Sequence, residues 1–268
     1  MKGFHNPYVE NTEVKYMLFE ERANYIMKKL EKENLVKTND LVNEMGVSID
    51  TIRRDLKKLE EERKLTCIRG GACSSEEALQ CSSFFGRQIV NEDLKREAAK
   101  KAITLIHSGN VIALNAGTTN SILAEELLKL KKQITVVTNN LSVLSTLTAS
   151  DYIQLVVPGG IVDKEELGLC GHNCVEEIAS YSFDLSFLSI NAFHPMHGFS
   201  DFRFQEIDII KAMIKHSRQS VAIMDSHKFG KLSKKIFLSP KDIDLLVTDA
   251  HADSAMLNQI HETGLFVM

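Results

Sequence analysis

The 268-residue sequence predicts an α/β protein in two parts, a small N-terminal helical unit followed by a larger, mostly parallel α/β unit. Three observations predict it. The length exceeds what a single hydrophobic core commonly serves, roughly 100 to 200 residues. Apolar residues recur at helical spacing through Leu59, whereas from Val111 onward short apolar runs alternate with helical segments. Between these regions the small, polar stretch CSSEEALQCSS, residues 73–83, reads as a linker. The expected organisation is an N-terminal extension over 1–18, a first unit over 19–72, the linker, and a second unit over 84–268.

The first unit opens with Ala23, Ile26, Met27 and Leu30 at the i, i+3, i+4, i+7 spacing of one buried helical face. Thr38 stands where an N-cap belongs, Asp40 lies in the first turn where the helix dipole favours an anion, and Leu41, Val42 and Met45 supply the apolar face. Gly46 closes that helix in the left-handed conformation that other residues adopt at a cost. Ser48 then repeats the cap, Asp50 the acidic first turn, and Ile52, Leu56 and Leu59 point inward. Two capped helices about a glycine turn form the skeleton of a helix-turn-helix, whose second helix lies in the DNA major groove. Its outward side carries Thr51, Arg53, Arg54, Lys57 and Lys58. Arginine pairs bidentately with guanine, while lysine and hydroxyl groups suit phosphates. Leu65 to Ile68 predict a short strand, and Arg69-Gly70-Gly71 a wing set against the DNA backbone or minor groove.

Charge alone does not decide for DNA. Residues 19–72 hold 12 Lys and Arg against 11 Asp and Glu, and the whole chain carries a net charge of −4. Three-helix units also serve as protein-interaction modules, so on periodicity and caps both readings stand.

In the second unit a helix is expected with Leu94, Ala98, Ala102, Leu105 and Ile106 on one face, stopping at Ser108-Gly109-Asn110. Strand-like runs follow at VIALNAG, ITVVTNN, IQLVVPGG, LSFLSINAF, SVAIMDS and IDLLVTDA, with helical segments between them. Near-continuous apolar strands imply a sheet covered on both faces, and such sheets bind ligands beyond the carboxyl ends of their strands. Those ends carry chemistry suited to an anion. Asn115-Ala116-Gly117-Thr118-Thr119 links a strand to a helix, offering main-chain N–H groups, the helix dipole and two hydroxyls. Thr138-Asn139-Asn140 ends a second strand and Pro158-Gly159-Gly160 a third, while DSHKFG supplies Asp225 for hydroxyls and Lys228 for phosphate.

The stretch FEERANYIMKKLEKENLVKTNDLVNEMGVSIDTIRRDLKKLEEERKLTCIRGGA is similar to the N-terminal signature of the DeoR family of sugar-metabolism regulators, most specifically from Val47-Ser48 to Thr51-Ile52-Arg53-Arg54-Asp55-Leu56. The resemblance places Ser48, Thr51, Arg53, Arg54 and Lys57 in the recognition helix and Arg69 in the wing; with Thr38 these are the DNA-facing candidates. Residues 84–250 resemble the family's effector domain through AGTT, VVTNN, the Gly159-Gly160 pair, Gly171, Glu206 with Lys211 and Met213, and DSHKFG. More distantly they resemble the sugar-phosphate isomerases and deaminases that share its fold. The resemblance implies a repressor released by a phosphorylated sugar. The effector-binding candidates are Asn115, Gly117, Thr118, Thr119, Thr138, Asn139, Asn140, Gly159, Gly160, Glu206, Asp225 and Lys228. Three departures stand out: a long segment before Phe19, Asn115 where the family usually has Asp, and NAFHPMHGFSDFR beside the family's Gly-rich loop.

Other classes fare less well. No apolar run reaches the roughly 18 residues of a membrane span, and the opening lacks a signal peptide's apolar centre, so a cytoplasmic protein without membrane association is expected. Five cysteines without framework spacing predict no structural disulfide. Cys170, His172 and Cys174 with His194 and His197 do not match a common zinc spacing, and neither metal nor cofactor is expected. The rival is an isomerase- or deaminase-like enzyme using Asp225 and Glu206 as acid and base, against which the fused helix-turn-helix argues. A protein-interaction adaptor leaves the strand-end anion cluster unexplained. Helix-turn-helix readers of two half-sites are dimers, so a homo-oligomer on double-stranded DNA is expected.

Overall fold

In the computed structural model, residues 18–33, 35–62, 64–68, 70–73 and 84–268 are described. The wing candidate Arg69, the extension up to Met17 and linker residues 74–83 lie outside them. The chain divides into two compact units, Met1–Ala78 and Leu79–Met268.

The first unit has helices α1 (Phe19–Glu33), α2 (Thr38–Met45) and α3 (Ile49–Glu61) and a sheet of β1 (Leu35–Lys37), β2 (Thr66–Ile68) and β3 (Gly71–Cys73), ordered β1-β3-β2. Ile26, Leu30, Leu41, Ile52, Leu56 and Leu59 form the core as their spacing predicts. Gly46 closes α2 with φ 64°, its N–H donating to the Val42 carbonyl. Ser48 caps α3, accepting from the Thr51 N–H. Both antiparallel ladders of a winged helix are present, and β3 is central: a Cβ on Gly71 would stand 1.9 Å from the Val36 oxygen.

Two expectations are corrected. Thr38 is the first residue inside α2, with Lys37 at the cap position, and its side chain is buried. Its N–H donates to the Gly70 carbonyl, a partner from the wing that local sequence does not reveal. Cys73 belongs to β3, not to the linker.

The second unit begins with α4 (Phe84–Ile89) and α5 (Glu92–Ala102). The expected longer helix ends at Ala102 and tightens into a 3₁₀ turn over Ile103–Leu105. β4 (Val111–Leu114), α6 (Thr118–Leu127), β5 (Ile134–Thr138), α7 (Leu141–Leu147) and β6 (Ile153–Val156) follow. A hairpin of β7 (Ile161–Asp163) and β8 (Gly168–Cys170) leads to α8 (His172–Ala179) and β9 (Phe183–Ser189). β10 (Ala192–His194) and β11 (Gly198–Asp201) precede α9 (Phe204–Lys215) and β12 (Ser217–Ile223). β13 (Lys235–Leu238), β14 (Leu245–Val247), α10 (Ser254–Glu262) and β15 (Phe266–Val267) complete it.

The main sheet runs β15-β14-β12-β9-β4-β5-β6 with every pairing parallel. Ala113, Val137, Leu188, Ala222 and Leu246 enter one core; their neighbours Ile112, Val136, Phe187, Val221 and Val247 enter the other. Strand side chains alternate between faces, so two covered faces require apolar residues at every position, hence the unbroken apolar runs. The chain leaves β4 toward β5 and β6, then returns to β9 on β4's other side. The β4/β9 boundary is therefore the topological switch point, where parallel sheets open a crevice beyond their strand ends. The segment 191–203 builds β10 and β11, which form a separate antiparallel sheet with β13.

Candidate functional site

In the first unit, α3 separates its residues by face. Ile52, Asp55, Leu56 and Leu59 are buried, whereas Arg53, Arg54, Lys57 and Lys58 are exposed. Asp55 faces inward because Arg22 of α1 donates to both its oxygens, at 2.5 and 3.0 Å. On the outer side the Ser48 and Thr51 hydroxyls lie 2.9 Å apart, Arg53 stands 3.7 Å from Asp50, and Arg54 Nε donates to the Asp50 carbonyl. Lys58 lies over the Phe19 ring, 3.9 Å from its centroid. The result is a cationic helix surface with hydroxyls at its N-terminal end, the end a helix-turn-helix presents to base edges.

In the second unit the residues after β4 and β9 meet. The Asn115 amide donates to the Glu206 carboxylate (3.0 Å) and to the Ser189 carbonyl (3.2 Å), and its oxygen accepts from the Ser189 N–H (2.7 Å). Asn120 Nδ2 donates to both Asn115 oxygens. The Ala116 N–H donates to Asn139 Oδ1 and Glu206 Oε1, and Asn139 Nδ2 donates to the Leu169 carbonyl and to Glu206. Thr138 donates to the Leu114 carbonyl, and Asn140 caps α7 while its amide reaches the Gly117 carbonyl. Thr118 and Thr119 start α6 and are buried. Gly117 has φ 150°, and a Cβ there would lie 2.4 Å from the Ser189 hydroxyl.

Sequence reasoning missed Arg203, which pins the switch point. Its guanidinium donates to both Asp201 oxygens, to the Ala116 carbonyl (2.5 Å) and to the Ser189 carbonyl (2.8 Å), joining the β4 and β9 loops. Its local signal was the Asp-x-Arg spacing inside the His-rich segment. The histidines of that segment pair with each other, His194 and His197 having ring centroids 4.8 Å apart, so Arg203 and Asp201 are what it sends to the network. Burial raises the Asp201 carboxyl, but the Arg203 guanidinium outweighs it and holds the group below the usual carboxylate range. Glu206 is pushed up to about 7 by burial, against the opposing pull of Arg203 and the two asparagine amides.

Lys228 donates to the Ile190 carbonyl beyond β9, and burial lowers its pKa. Asp225 accepts from Asn91 (3.0 Å). Lys95, a second lysine that local sequence patterns did not single out, is buried and donates to the carbonyls of Arg87 and Val90. Its pKa is lowered to about 7 by burial and then by the charge of Lys228. The Gly159-Gly160 pair stays apart: Gly159 N–H donates to Glu177, and Gly160 packs on Cys170 and Cys174. Beside the network lies a 240 Å³ cleft whose walls include Ala116, Asp163, Glu165, Glu166, Phe202, Arg203 and Glu206. The residues weighed for zinc do not converge, since His172 is exposed beside Glu176, and Cys170 and Cys174 are buried with thiols raised by burial.

A winged helix-turn-helix carried in one chain with a parallel α/β unit whose polar residues gather at its switch point is an architecture suited to a DNA-binding regulator. Residues 22–78 match the DeoR-like helix-turn-helix domain and residues 90–250 the DeoR C terminal sensor domain. The chain is 32% identical over 248 residues to the HTH-type transcriptional regulator GolR of Listeria innocua, covering 91% of this chain and 96% of that protein. It is 29% identical to the transcriptional repressor GlcR of Bacillus subtilis, covering 93% and 95% of the two chains. It is 27% identical to the glycerol-3-phosphate regulon repressor of Escherichia coli, covering 86% and 90%. Ribose 5-phosphate isomerase A of Methanocaldococcus jannaschii superposes with a TM-score of 0.40 at 20% identity, over 54% of this chain and 58% of that one. The chain belongs to the DeoR family. It is a DNA-binding transcription regulator, and the acid–base enzyme reading of Asp225 and Glu206 gives way to that assignment. Among the described residues, no helix is long and apolar enough to cross a membrane.

Proposed function

We propose that this protein represses sugar-metabolism genes in the cytoplasm by binding an operator duplex as a homo-oligomer, and that a phosphorylated sugar bound at the switch point controls its DNA affinity. Residues 19–72 bind DNA and residues 84–268 sense the ligand. The observation that carries this reading is the convergence of the β4 and β9 loops, the α6 N-terminus and Lys228 at one end of a parallel sheet. First-turn N–H groups have no partner within their helix and attract a phosphate, to which a lysine adds charge. Gly117, Thr118, Thr119 and Lys228 therefore take the phosphate, and Glu206 and Asp225 take hydroxyls. Asn115, Thr138, Asn139 and Asn140 have their hydrogen bonds committed to the main chain and to Glu206, so they hold the frame. Gly159 and Gly160 shape the entry to the β7–β8 hairpin. On the DNA side Arg53 and Arg54 read bases, Ser48, Thr51 and Lys57 hold phosphates, and Arg69 lies in the wing. Names of relatives point the same way, two being repressors and one of these the glycerol-3-phosphate regulon repressor.

The test is a melting-temperature comparison of the full chain with glucose 6-phosphate, fructose 6-phosphate and glycerol 3-phosphate against their unphosphorylated parents. A ligand at 100 times its Kd stabilises by about 2.7 kcal/mol, so a rise is expected with a phosphorylated member alone. Equal shifts from an ester and its parent, or none from any, overturn the reading.

A further inference from the structure

Helices α8 and α9 pack on one face of the main sheet and run in the same direction, because they lead into β9 and β12, which pair in parallel. Their inner sides, with Cys174, Ile178, Ile209, Ile210 and Met213, belong to the core. Between their outer sides lies a groove of 890 Å³ whose walls include Val175 and Ala179 of α8 and Ala212 of α9. Two large apolar side chains also line it while standing open to water, Ile161 at 70% exposure and Phe204 at 56%. Along α9 the exposed residues are Phe204, Gln205, Asp208, Lys211 and Lys215. Phe204, Asp208, Lys211 and Lys215 follow one another at steps of four, three and four, the interval that turns one seam of a helix toward a second helix. Among the described residues neither Asp208 nor Lys211 is in an ion pair.

We infer that a second copy of this chain docks on the α8–α9 groove, with α9 lying antiparallel to its counterpart about a two-fold axis midway between Asp208 and Lys211. This names the surface of the proposed homo-oligomer and rests on that reading. An isologous contact brings one patch against itself, so the patch must complement its own reverse. The α9 seam does. Turned about that midpoint, it sets Asp208 on Lys211 of the second copy, Lys211 on Asp208 of the second copy, and each Phe204 ring beneath a Lys215 ammonium, a favourable placement over an aromatic face. A parallel arrangement instead lays Asp208 on Asp208 and each lysine on its own copy, so charge selects the antiparallel one. The groove seats the exposed rings, since Phe204 of one copy then enters the other's groove at the end marked by Ala179 and Lys215. A stable interface covers roughly 800 Å² on each partner, more than one helix of about 18 Å offers, so α8 and Ile161 belong to the contact as well. The same α9 starts directly after Arg203 and carries Glu206, which roots the contact helix in the switch-point network.

Sedimentation velocity of the full chain, without DNA, tests the contact. The wild type is expected to be a dimer or a larger even assembly. Asp208→Lys and Lys211→Asp each set two like-charge pairs in the interface and should raise the dissociation constant of that step by about 100-fold. Both positions are exposed, so the melting temperature should change little. The charge swap Asp208→Lys with Lys211→Asp in one chain restores both pairs and should restore the wild-type mass. An equimolar mixture of the two single variants should also reach that mass where neither does alone, because the substituted position of each meets the opposite charge on the other. Single variants that keep the wild-type mass overturn the inference, leave the homo-oligomer reading intact and free the groove for a different partner. Single variants that dissociate but are rescued by neither the swap nor the mixture overturn it too, because the antiparallel pairing is then absent. A wild type that is monomeric, and binds as one copy per duplex to an operator obtained by in vitro selection, overturns both the inference and the homo-oligomer reading.

Discussion

Arg22 of α1 and Asp55 of α3 join the recognition helix to the helix that supports it, meeting through two hydrogen bonds across 33 residues of chain. The Asp55 side chain is 7% exposed, so removing Arg22 leaves a carboxylate that water scarcely reaches. Breaking such a pair from one side costs about 3–5 kcal/mol. Arg22→Ala and Asp55→Ala are therefore expected to lower the stability of the DNA-binding unit by that order in chemical denaturation. Operator binding should be lost only to the extent that the unit unfolds.

Arg53 and Arg54 stand opposite in this respect. Both are exposed, and the Arg53–Asp50 pair at 3.7 Å joins side chains 66% and 76% exposed, so it adds little to stability. The double substitution Arg53→Ala, Arg54→Ala should leave the melting temperature within a degree or two and weaken operator binding by about 1–3 kcal/mol for each arginine that reads a base edge. Lys57→Ala should weaken all sequences alike and reduce the slope of log affinity against log salt by about one. Unchanged operator affinity in the double variant would refute the reading surface.

Glu206 gives the sensor unit a pH dependence. Its carboxyl, at about 7 in the folded chain against 4.5 for the ordinary group, binds a proton more tightly when folded. Between these values the folded state holds more protons than the unfolded one, so stability falls as pH rises through that window. Thermal melts of the full chain should show the sensor transition dropping from pH 5 to pH 7.5, and Glu206→Gln should flatten the trend. An identical slope in the variant would show that other groups carry it.

Gly117→Ala should damage the switch point directly. A Cβ there falls 2.4 Å from the Ser189 hydroxyl oxygen and 2.7 Å from its Cβ, in a backbone conformation that favours glycine. A lower melting temperature is expected together with a lost response to any ligand that shifts the wild type. Retention of both would mean that the β4 and β9 loops separate easily.

How far each of these features was legible in the sequence follows from the distance over which its cause acts. The caps and faces of α3 were readable because Ser48, Asp50 and Ile52 act within one turn, and the parallel sheet because both its faces demand apolar residues. Thr38 resembled a cap, but its N–H is satisfied by Gly70, 32 positions away in the wing. The strand-end polar residues were found, yet periodicity could not tell a ligand contact from a frame member. Asn115 shows why: in place of an aspartate, its amide lets Glu206 approach without a second negative charge, a fact belonging to two segments 91 residues apart. Lys95 and Arg203 stayed hidden because a cation in a polar stretch usually means a solvated face, whereas here both are buried against carbonyls.

The division of α3 into two faces also bears on how such regulators diversify. Its inward set, Ile52, Asp55, Leu56 and Leu59, makes the contacts on which folding depends, while Arg53, Arg54 and Lys57 make none of them. Where Arg53, Arg54 and Lys57 read the operator as proposed, mutations can therefore rewrite the DNA address at the outer positions without first passing through an unstable ancestor. After a gene duplication, two copies need only drift at a few exposed codons to part company over their operators, and the sensor unit need not change for them to do so.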